Sequence, residues 1–209
     1  MDHPVIQELL DTGRFVELKP YDPIEQGPKF TAGVLMTIEG GIRPTPTVLM
    51  STEADIEATG SAELYSLYHL GHRLTGHSGI VHGGLLATLL DEALCRCGFC
   101  MLPHKVGVTA SLNVDYRRPT HCDNWMLLHA KTTEVNGRKV WVSGATYVLP
   151  PGTEHVVGDL DKLEPTMEAK LLVVEPKWYE RLLDGPATRL HEQKQVAELE
   201  QFPDQQPSV

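Results

Sequence analysis

The segment from Val106 to Arg117 alternates its side chains without a break, and this pattern constrains the fold more than any other feature of the chain. One face consists of Val106, Val108, Ala110, Leu112, Val114 and Tyr116, and the residues between them, Thr109 included, fall on the other. A period of two over this length predicts a β-strand. Downstream, Asn136-Gly137 separates two more strand-like segments and is the typical turn of a β-hairpin. Strands joined by short turns run antiparallel, so the sequence predicts an antiparallel sheet.

One long helix is predicted ahead of these strands. After a loop over residues 71–82, apolar residues in "HGGLLATLLDEALCRC" recur at helical spacing from about Gly83 to about Cys97. The wide apolar face, which must pack on the sheet, consists of Leu86, Leu89, Leu90, Ala93, Leu94 and Cys97. A helix packed on an antiparallel sheet makes an α+β fold.

Shorter elements are predicted on either side of this helix. We expect a helix over residues 3–18, a strand over Phe30–Ile38 and a strand over Glu63–Leu70. Residues 39–60 are predicted as a loop that contains a short strand at "TVLMS". A strand through "EAKLLVVEP" is expected to end the sheet. Residues 177–200 are predicted to form a polar helix, and residues 201–209 to be unstructured.

The charge balance and the apolar runs exclude several classes of protein. Asp and Glu number 28 against 18 Lys and Arg, which gives a formal net charge of −10. Because a nucleic-acid surface needs clustered positive charge, no nucleic-acid partner is expected. No apolar run approaches the ~20 residues of a transmembrane helix. Neither a signal peptide nor an arginine-rich transit segment is recognisable, so we expect a cytoplasmic protein, with mitochondria left open.

The cysteines and serines point to neither a metal site nor a serine hydrolase. Cys95, Cys97 and Cys100 are close together but lack the second ligand cluster of a zinc site, so no metal is expected. No Gly-x-Ser-x-Gly motif occurs, so a serine-triad hydrolase is not indicated.

The start of the predicted helix is suited to bind an oxygen atom. Gly83 and Gly84 have no Cβ, so their N–H groups can be reached from outside. The first N–H groups of a helix lack intrahelical partners and lie at the positive end of its dipole. Together they can bind a carbonyl oxygen or an oxyanion.

Of the two adjacent acids in this helix, Asp91 is the better functional candidate. It belongs to a stripe of small or polar residues that also contains Thr88 and Cys95. Glu92 lies on a different line, four residues before Arg96, and we expect these two to form a surface ion pair.

The spacing between the two features predicts a homodimer. Asp91 follows Gly83 by eight residues, which is ~12 Å along a helix. One carbonyl group cannot lie within hydrogen-bond distance of both. If both act on one bond, they come from two copies of the helix, and the site lies between two protomers.

Three stretches, "GIVHGGLLATLLDEAL", "VGVTASLNVDYRRPT" and "EVNGRKVWVSG", resemble the hotdog-fold acyl-CoA thioesterases. The resemblance is greatest to the branch with the phenylacetyl-CoA-type enzymes, the human thioesterase superfamily members and their fungal relatives. It implies a hotdog core over residues 60–176, with residues 1–59 packed on it and a helix and tail over 177–209. It further implies hydrolysis of an acyl-CoA to a free acid and coenzyme A without a metal or other cofactor. The dimer would join its sheets edge to edge, and whether two dimers pair into a homotetramer stays open.

The resemblance also implies roles for individual residues. Asp91 would be the general base or nucleophile, and the Gly83 N–H would polarise the carbonyl of the substrate that the partner protomer attacks. His82 would position the turn before the helix, and Thr109 would orient water. The implied substrate-binding residues are His77, Gly84, Asp115, Arg117, Arg138 and Lys139. Of these, Arg117, Arg138 and Lys139 fall where relatives bind the phosphates of coenzyme A, although each is also compatible with an ordinary surface charge.

The sequence departs from the family pattern at Gly76, where many relatives have an asparagine or glutamine. Either the adjacent His77 takes over the contact with the carbonyl, or the backbone N–H acts alone. This departure keeps a non-catalytic acyl-CoA-binding or protein-binding hotdog module open as an alternative. A thioesterase acting on acyl or polyketide chains bound to a carrier protein is a variant of the first hypothesis. An enoyl-thioester hydratase ranks lower, since the Asp–His pair of those enzymes is not found.

Overall fold

The computed structural model describes residues 3–21, 30–44, 46–149 and 162–178. The chain divides into two compact units, Met1–Val174 and Glu175–Val209. All the helices and strands given below lie in the first unit, and residues 175–178 of the second form neither. The helix and tail predicted for the C-terminus lie, beyond residue 178, outside the described residues.

The α-helices whose full extent is described are α1 (Pro4–Asp11), α2 (Glu53–Thr59) and α3 (Gly83–Phe99). The strands are β1 (Phe15–Leu18), β2 (Thr47–Ser51), β3 (Glu63–Leu70), β4 (Thr75–His77), β5 (Ile80–Val81), β6 (Val108–Tyr116), β7 (Asn124–Asn136), β8 (Lys139–Leu149) and β9 (Met167–Val174). One antiparallel sheet has the order β1-β2-β3-β7-β8-β9-β6, and β4 pairs with β5 in a separate ribbon.

The β7–β8 hairpin forms the middle of the large sheet. Its pairing reaches from Trp125 and Leu149 to Asn136 and Lys139. Gly137 in the turn has a φ of 57°, a left-handed conformation that glycine adopts without strain. The hairpin predicted at Asn136-Gly137 is therefore confirmed. At the end of the sheet, β6 pairs with β9 alone among the described strands and forms an edge.

Helix α3 packs across one face of this sheet. Its buried residues are Leu85, Leu86, Leu89, Leu90, Ala93, Leu94, Cys95, Cys97 and Gly98, which include the whole predicted apolar face. The helix comes close to β8 because Gly144 has no side chain: a Cβ there would lie 2.6 Å from Leu94 Cδ1. A long helix held against an antiparallel sheet is the hotdog arrangement, so the predicted α+β fold is confirmed.

Helix α1 covers part of the opposite face. Val5, Ile6 and Leu9 are buried against a second apolar cluster that contains Phe15 and Leu127. The sheet is therefore buried on both sides in this region, which explains why β3 is buried along almost its whole length.

The helix predicted over residues 3–18 is wrong in its second half. α1 ends at Asp11, and Gly13 then adopts a φ of 69°, from which the chain turns into β1. The apolar residues after this turn, such as Phe15, belong to a strand that pairs with β2. Tertiary packing on the sheet overrides the helical spacing that the first residues establish.

The strand predicted over Phe30–Ile38 is also wrong. Thr31–Leu35 forms a π-helical turn, with Thr31 buried and Phe30, Val34 and Ile38 exposed. These three apolar residues are four apart, which is helical rather than strand spacing. Ala32 and Leu35 of this run pack against the core cluster that contains the buried face of α3, and the Thr31 hydroxyl donates to Glu92 of that helix, so the segment packs beside the helix rather than pairing in the sheet.

The loop prediction for residues 39–60 is correct for the short strand and incomplete elsewhere. "TVLMS" is β2, but Glu53–Thr59 is helix α2. Thr52 caps this helix by accepting a hydrogen bond from the Asp55 N–H at 3.1 Å, and Gly60 ends it with a φ of 70°. A threonine cap and a terminal glycine are recognisable signals in the sequence. The predicted loop over 71–82 contains the β4–β5 ribbon.

Candidate active site

The N-terminus of α3 has one backbone donor without a partner among the described residues. The His82 Nδ1 accepts a hydrogen bond from the Gly84 N–H at 3.0 Å. The His82 carbonyl accepts from the N–H groups of Leu85 and Leu86 at 3.0 and 3.2 Å. Within the described part of the chain, the Gly83 N–H makes no hydrogen bond. Two glycine N–H groups were predicted as donors. The Gly84 N–H is occupied by the His82 side chain, and the Gly83 N–H is available for an oxyanion.

The imidazole of His82 also explains the glycine at position 76. A Cβ on Gly76 would lie 2.9 Å from His82 Cδ2, closer than such atoms approach in proteins. The cap that frees the Gly83 N–H therefore excludes a side chain at position 76 in this arrangement. The loop is held by hydrogen bonds from the His82 N–H to the Leu74 carbonyl and from the Val81 N–H to the Thr120 carbonyl.

Tyr116 is a residue at this site that the sequence reasoning missed. Its hydroxyl donates to the Gly83 carbonyl at 3.0 Å, and its ring lies 3.0 Å from where a Cβ on Gly83 would be. The side chain is 58% exposed. The alternation of β6 marks Tyr116 only as one of several apolar positions, so no sequence signal identified it.

A hydrogen-bonded chain of three side chains lies further along the helix. The Thr109 hydroxyl donates to Asp91 Oδ1 at 2.7 Å, and the Cys95 Sγ lies 3.0 Å from the same hydroxyl oxygen. Asp91 and Cys95 come from α3 and Thr109 from β6. The structure thus brings the predicted acid and the predicted strand hydroxyl together.

A β-bulge is what places Thr109 against the helix. The pairing of β6 with β9 shifts register between Thr109 and Ser111. Strict alternation predicts that Thr109 faces away from Leu112 and Tyr116, yet Thr109 and Tyr116 both contact α3. Ala110 is the extra residue, and it reverses the faces of the residues before it, so the predicted faces of Val108 and Thr109 are wrong.

A cleft of about 330 Å³ begins at the helix N-terminus. It is lined by His77, Ile80, Val81, Gly83, Leu86, Tyr116, Arg117, Arg118, Pro119 and Thr120. Among the predicted residues, His77, Gly83 and Arg117 are brought together here. Backbone donor, imidazole and guanidinium groups thus share one cleft, as recognition of a carbonyl and a phosphorylated ligand would need.

Carboxylates neutralise the arginines of this cleft within the protomer. The Arg117 Nε is 2.6 Å from Glu168 Oε2, and the second guanidinium contact is to Asp115 at 3.5 Å. Arg118 forms an ion pair with Glu164. Asp115, predicted to contact substrate, is thus a partner of Arg117 in this structure. Since exposed ion pairs contribute little free energy, a phosphate can exchange for these carboxylates at small cost.

The remaining predicted residues lie at the opposite end of the strands. Lys139 is in register with Val174, which pairs with Val108 at the start of β6, eight residues before Tyr116. Eight residues of strand span about 27 Å. Within one protomer, Arg138 and Lys139 are therefore far from Gly83 and its cleft. Asp91 lies eight helical residues after Gly83, which is ~12 Å along α3.

The expected ion pair between Glu92 and Arg96 is wrong. Glu92 accepts hydrogen bonds from the hydroxyls of Thr31 and Tyr21, at 2.5 and 3.3 Å. The Arg96 guanidinium lies over the Tyr21 ring, 5.4 Å from its centre. The N-terminal segment covers this face of the helix, so both side chains find partners there rather than in each other.

Two further findings concern residues 3–21, 30–44, 46–149 and 162–178. None of the helices there is long and apolar enough to cross a membrane. No cluster of three or more His, Cys, Asp or Glu side chains suited to a metal ion occurs in the same part of the chain.

Comparison with known proteins places these elements in a family. The profile of the Thioesterase superfamily matches residues 78–146, from the turn before α3 into β8. An uncharacterised mitochondrial protein of Candida albicans is 42% identical over 122 residues, 57% of this chain and 51% of its own length. The chain thus spans about half the length of this relative.

Two further relatives are informative. Uncharacterized protein C26H8.11c of Schizosaccharomyces pombe is 33% identical over 141 residues, 68% of this chain and 75% of its own length. The acyl-coenzyme A thioesterase THEM4 of Rattus norvegicus is 34% identical over 77 residues, 37% of this chain and 32% of its own length. With the hotdog architecture and the match over α3 and β6, the chain belongs to the thioesterase superfamily.

Proposed function

We propose that the protein hydrolyses an acyl-CoA thioester to a free acid and coenzyme A. The observation that carries this proposal is the hydrogen bond from the Thr109 hydroxyl to Asp91, which holds a carboxylate beside the edge strand. Membership of the thioesterase superfamily and the partial similarity to THEM4 support the same reaction.

The chemistry needs a base for water and a donor for the developing negative charge. Asp91 would take a proton from water while the water oxygen bonds to the carbonyl carbon. The Gly83 N–H would donate to the oxyanion of the tetrahedral intermediate. Breaking the carbon–sulfur bond then releases the thiolate of coenzyme A, which takes the proton from Asp91. His82 would keep Gly83 free for this role.

The two halves of the site would come from two protomers. β6 is an edge strand with Thr109 near its start and Tyr116 at its end. Antiparallel pairing of two β6 strands about a two-fold axis would bring the start of one beside the end of the other. Asp91 and Thr109 of one copy would then face Gly83 and Tyr116 of the next. The same pairing would bring Arg138 and Lys139 of one copy to the cleft of the other copy, which contains Arg117. There these three residues would bind the phosphates of coenzyme A.

The departure at Gly76 does not favour a non-catalytic module. Packing of the His82 ring against Gly76 gives this glycine a structural reason that is compatible with activity. Carbonyl recognition would rest on the Gly83 N–H, with His77 lining the same cleft.

The Candida albicans relative is described as mitochondrial, and we propose the same location here rather than the cytoplasm. Fractionation of cells that produce the full protein, with a mitochondrial and a cytosolic marker, checks this.

A thiol-release assay over acyl-CoAs of several chain lengths tests the activity. We expect turnover by the wild type and a loss of about a hundredfold or more in kcat for Asp91→Asn, because the amide cannot accept the proton. Turnover of carrier-protein thioesters but not acyl-CoAs would change the substrate class. Addition of water to an enoyl-CoA, or tight binding of acyl-CoA without hydrolysis, would replace the proposed reaction.

The donor role of Gly83 has a sharp test in Gly83→Pro. Proline is favoured at the first position of a helix, and His82 already has the extended backbone that precedes proline. The change removes the free N–H, so we expect kcat to fall about a hundredfold. Gly83→Ala adds a Cβ but keeps the N–H and is the matched control. Equal activity of the two variants would count against an oxyanion donor at this position.

A further inference from the structure

Cys95 lies one helical turn after Asp91, and its thiol reaches the hydroxyl that binds Asp91. The Cys95 Sγ is 3.0 Å from Thr109 Oγ1, and Thr109 Oγ1 is 2.7 Å from Asp91 Oδ1. The Thr109 hydroxyl is therefore placed between a thiol and a carboxylate, with both contacts at hydrogen-bond distance.

The number of protons sets the direction of both hydrogen bonds. A threonine hydroxyl has one proton to donate, and an ionised carboxylate only accepts. Because a carboxylate is a much stronger acceptor than sulfur, Thr109 donates to Asp91. The contact with Cys95 is then a hydrogen bond only when the thiol donates its own proton to Thr109 Oγ1.

The surroundings of Cys95 keep this thiol protonated. The residue is 8% exposed. Burial raises the pKa of the Cys95 thiol to about 11; the Thr109 hydroxyl and the charge of Arg96 oppose this increase, and the charge of Asp91 adds to it. A thiolate would compete with Asp91 for the single hydroxyl proton, whereas a thiol cannot.

We propose that Cys95 is a positioning residue that directs the Thr109 hydroxyl proton onto Asp91. The proposal rests on the proposed function, in which Asp91 activates water. With Oδ1 held by Thr109, the second oxygen of the carboxylate is left for the water. Without the thiol, the Thr109 hydroxyl is free to rotate or to donate elsewhere, and Asp91 loses its fixed orientation. Cys95 acts through Thr109 and does not touch the substrate.

A double-mutant cycle measures this coupling. Cys95→Ala removes the thiol that donates to Thr109, and Cys95→Ser replaces it with a hydroxyl donor on a shorter bond. Each variant is made in the wild type and in Thr109→Val. In the wild type we expect Cys95→Ala to lower kcat about fivefold with KM unchanged, and Cys95→Ser to recover most of the loss. In Thr109→Val, which has no hydroxyl, Cys95→Ala should lower kcat no further. An equal loss in both backgrounds overturns the proposal.

Cys97→Ala is the matched control for packing. Cys97 is buried on the same helix, but its thiol donates to the Ala62 carbonyl at 3.4 Å rather than to Thr109. We expect this variant to unfold at a lower temperature and to keep its kcat. A loss of kcat in Cys97→Ala as large as in Cys95→Ala would assign the effect to helix packing.

Infrared spectroscopy reads the hydrogen bond without turnover. The S–H stretching band that is lost in Cys95→Ala should lie at lower frequency in the wild type than in Thr109→Val. A band that does not move overturns the proposed hydrogen bond whatever the activity. A shifted band in a protein that hydrolyses no thioester supports the hydrogen bond and counts against the proposed function alone.

Discussion

The glycine at position 76 has a local physical reason. The ring of His82 occupies the space that a side chain at position 76 would need, and the same ring caps α3 through the Gly84 N–H. The resemblance draws attention to this position, but the contact with His82 is set by the fold of the loop. Thr109 is similar, because the β-bulge that turns it toward Asp91 leaves no mark in the alternating pattern.

At the residue scale, we predict that Gly76→Asn impairs the cap of α3. The new side chain must displace the His82 ring, so the free energy of unfolding should fall by about 1 kcal/mol. The value of kcat/KM should fall about tenfold, because the Gly83 donor shifts with the cap. Chemical denaturation and the thiol-release assay measure the two effects.

Gly79→Asn is the control for this prediction. Gly79 has a φ of 72°, which asparagine tolerates, and a Cβ there has no neighbour within 4 Å among the described residues. If Gly76→Asn and Gly79→Asn have the same free energy of unfolding and the same kcat/KM, the position of the His82 ring does not require a glycine at position 76.

At the scale of elements, the strong periodic segments were predictable and the short ones were not. The β7–β8 hairpin and helix α3 combine long patterns with clear turn or cap signals. The segment at Phe30–Ile38 is short and apolar, and such runs do not reveal whether they join a sheet or cover a helix. The first residues of the chain end their helix early because Gly13 turns the chain toward the sheet.

Helix α1 should contribute to stability without contributing to catalysis. Leu9 is fully buried on the face of the sheet opposite α3. Leu9→Ala should therefore lower the free energy of unfolding by about 2–5 kcal/mol. Below its unfolding temperature the variant should keep the kcat of the wild type. Leu10 is partly buried, so Leu10→Ala should lower the free energy of unfolding by a smaller amount. A loss of kcat in Leu9→Ala that Leu10→Ala does not show would connect α1 to the site.

At the scale of the whole molecule, the candidate catalytic groups of one protomer lie too far apart to act on one bond. Gly83 and Tyr116 are at one end of the β6–α3 layer, and the Asp91–Thr109 pair is toward the other. A helix and a strand of this length hold them apart rigidly, so no local movement joins them. In a dimer with paired β6 edges, Gly83 of each copy would lie beside the Asp91–Thr109 pair of the other. Such a dimer would contain two complete sites.

Mixed dimers test this arrangement directly. Asp91→Asn and Gly83→Pro homodimers should each be nearly inactive, because each damages one half of both sites. Mixing the two variants under conditions that exchange protomers should restore about a quarter of wild-type activity, since half of the dimers then contain one intact site. No recovery, with exchange shown by a size or affinity tag, would place the whole site within one protomer.

The sequence by itself determined the hotdog architecture, the long helix with its glycine start and Asp91, and the family. These depend on periodic patterns and spacings that are written along the chain. Only the tertiary structure decided that Thr109 faces Asp91, that Cys95 completes a hydrogen-bonded chain with them, and that Tyr116 contacts Gly83. It also decided that Arg117 is already paired with carboxylates. Such contacts join residues distant in the chain, and their geometry depends on a bulge, a cap and the approach of a helix to a strand.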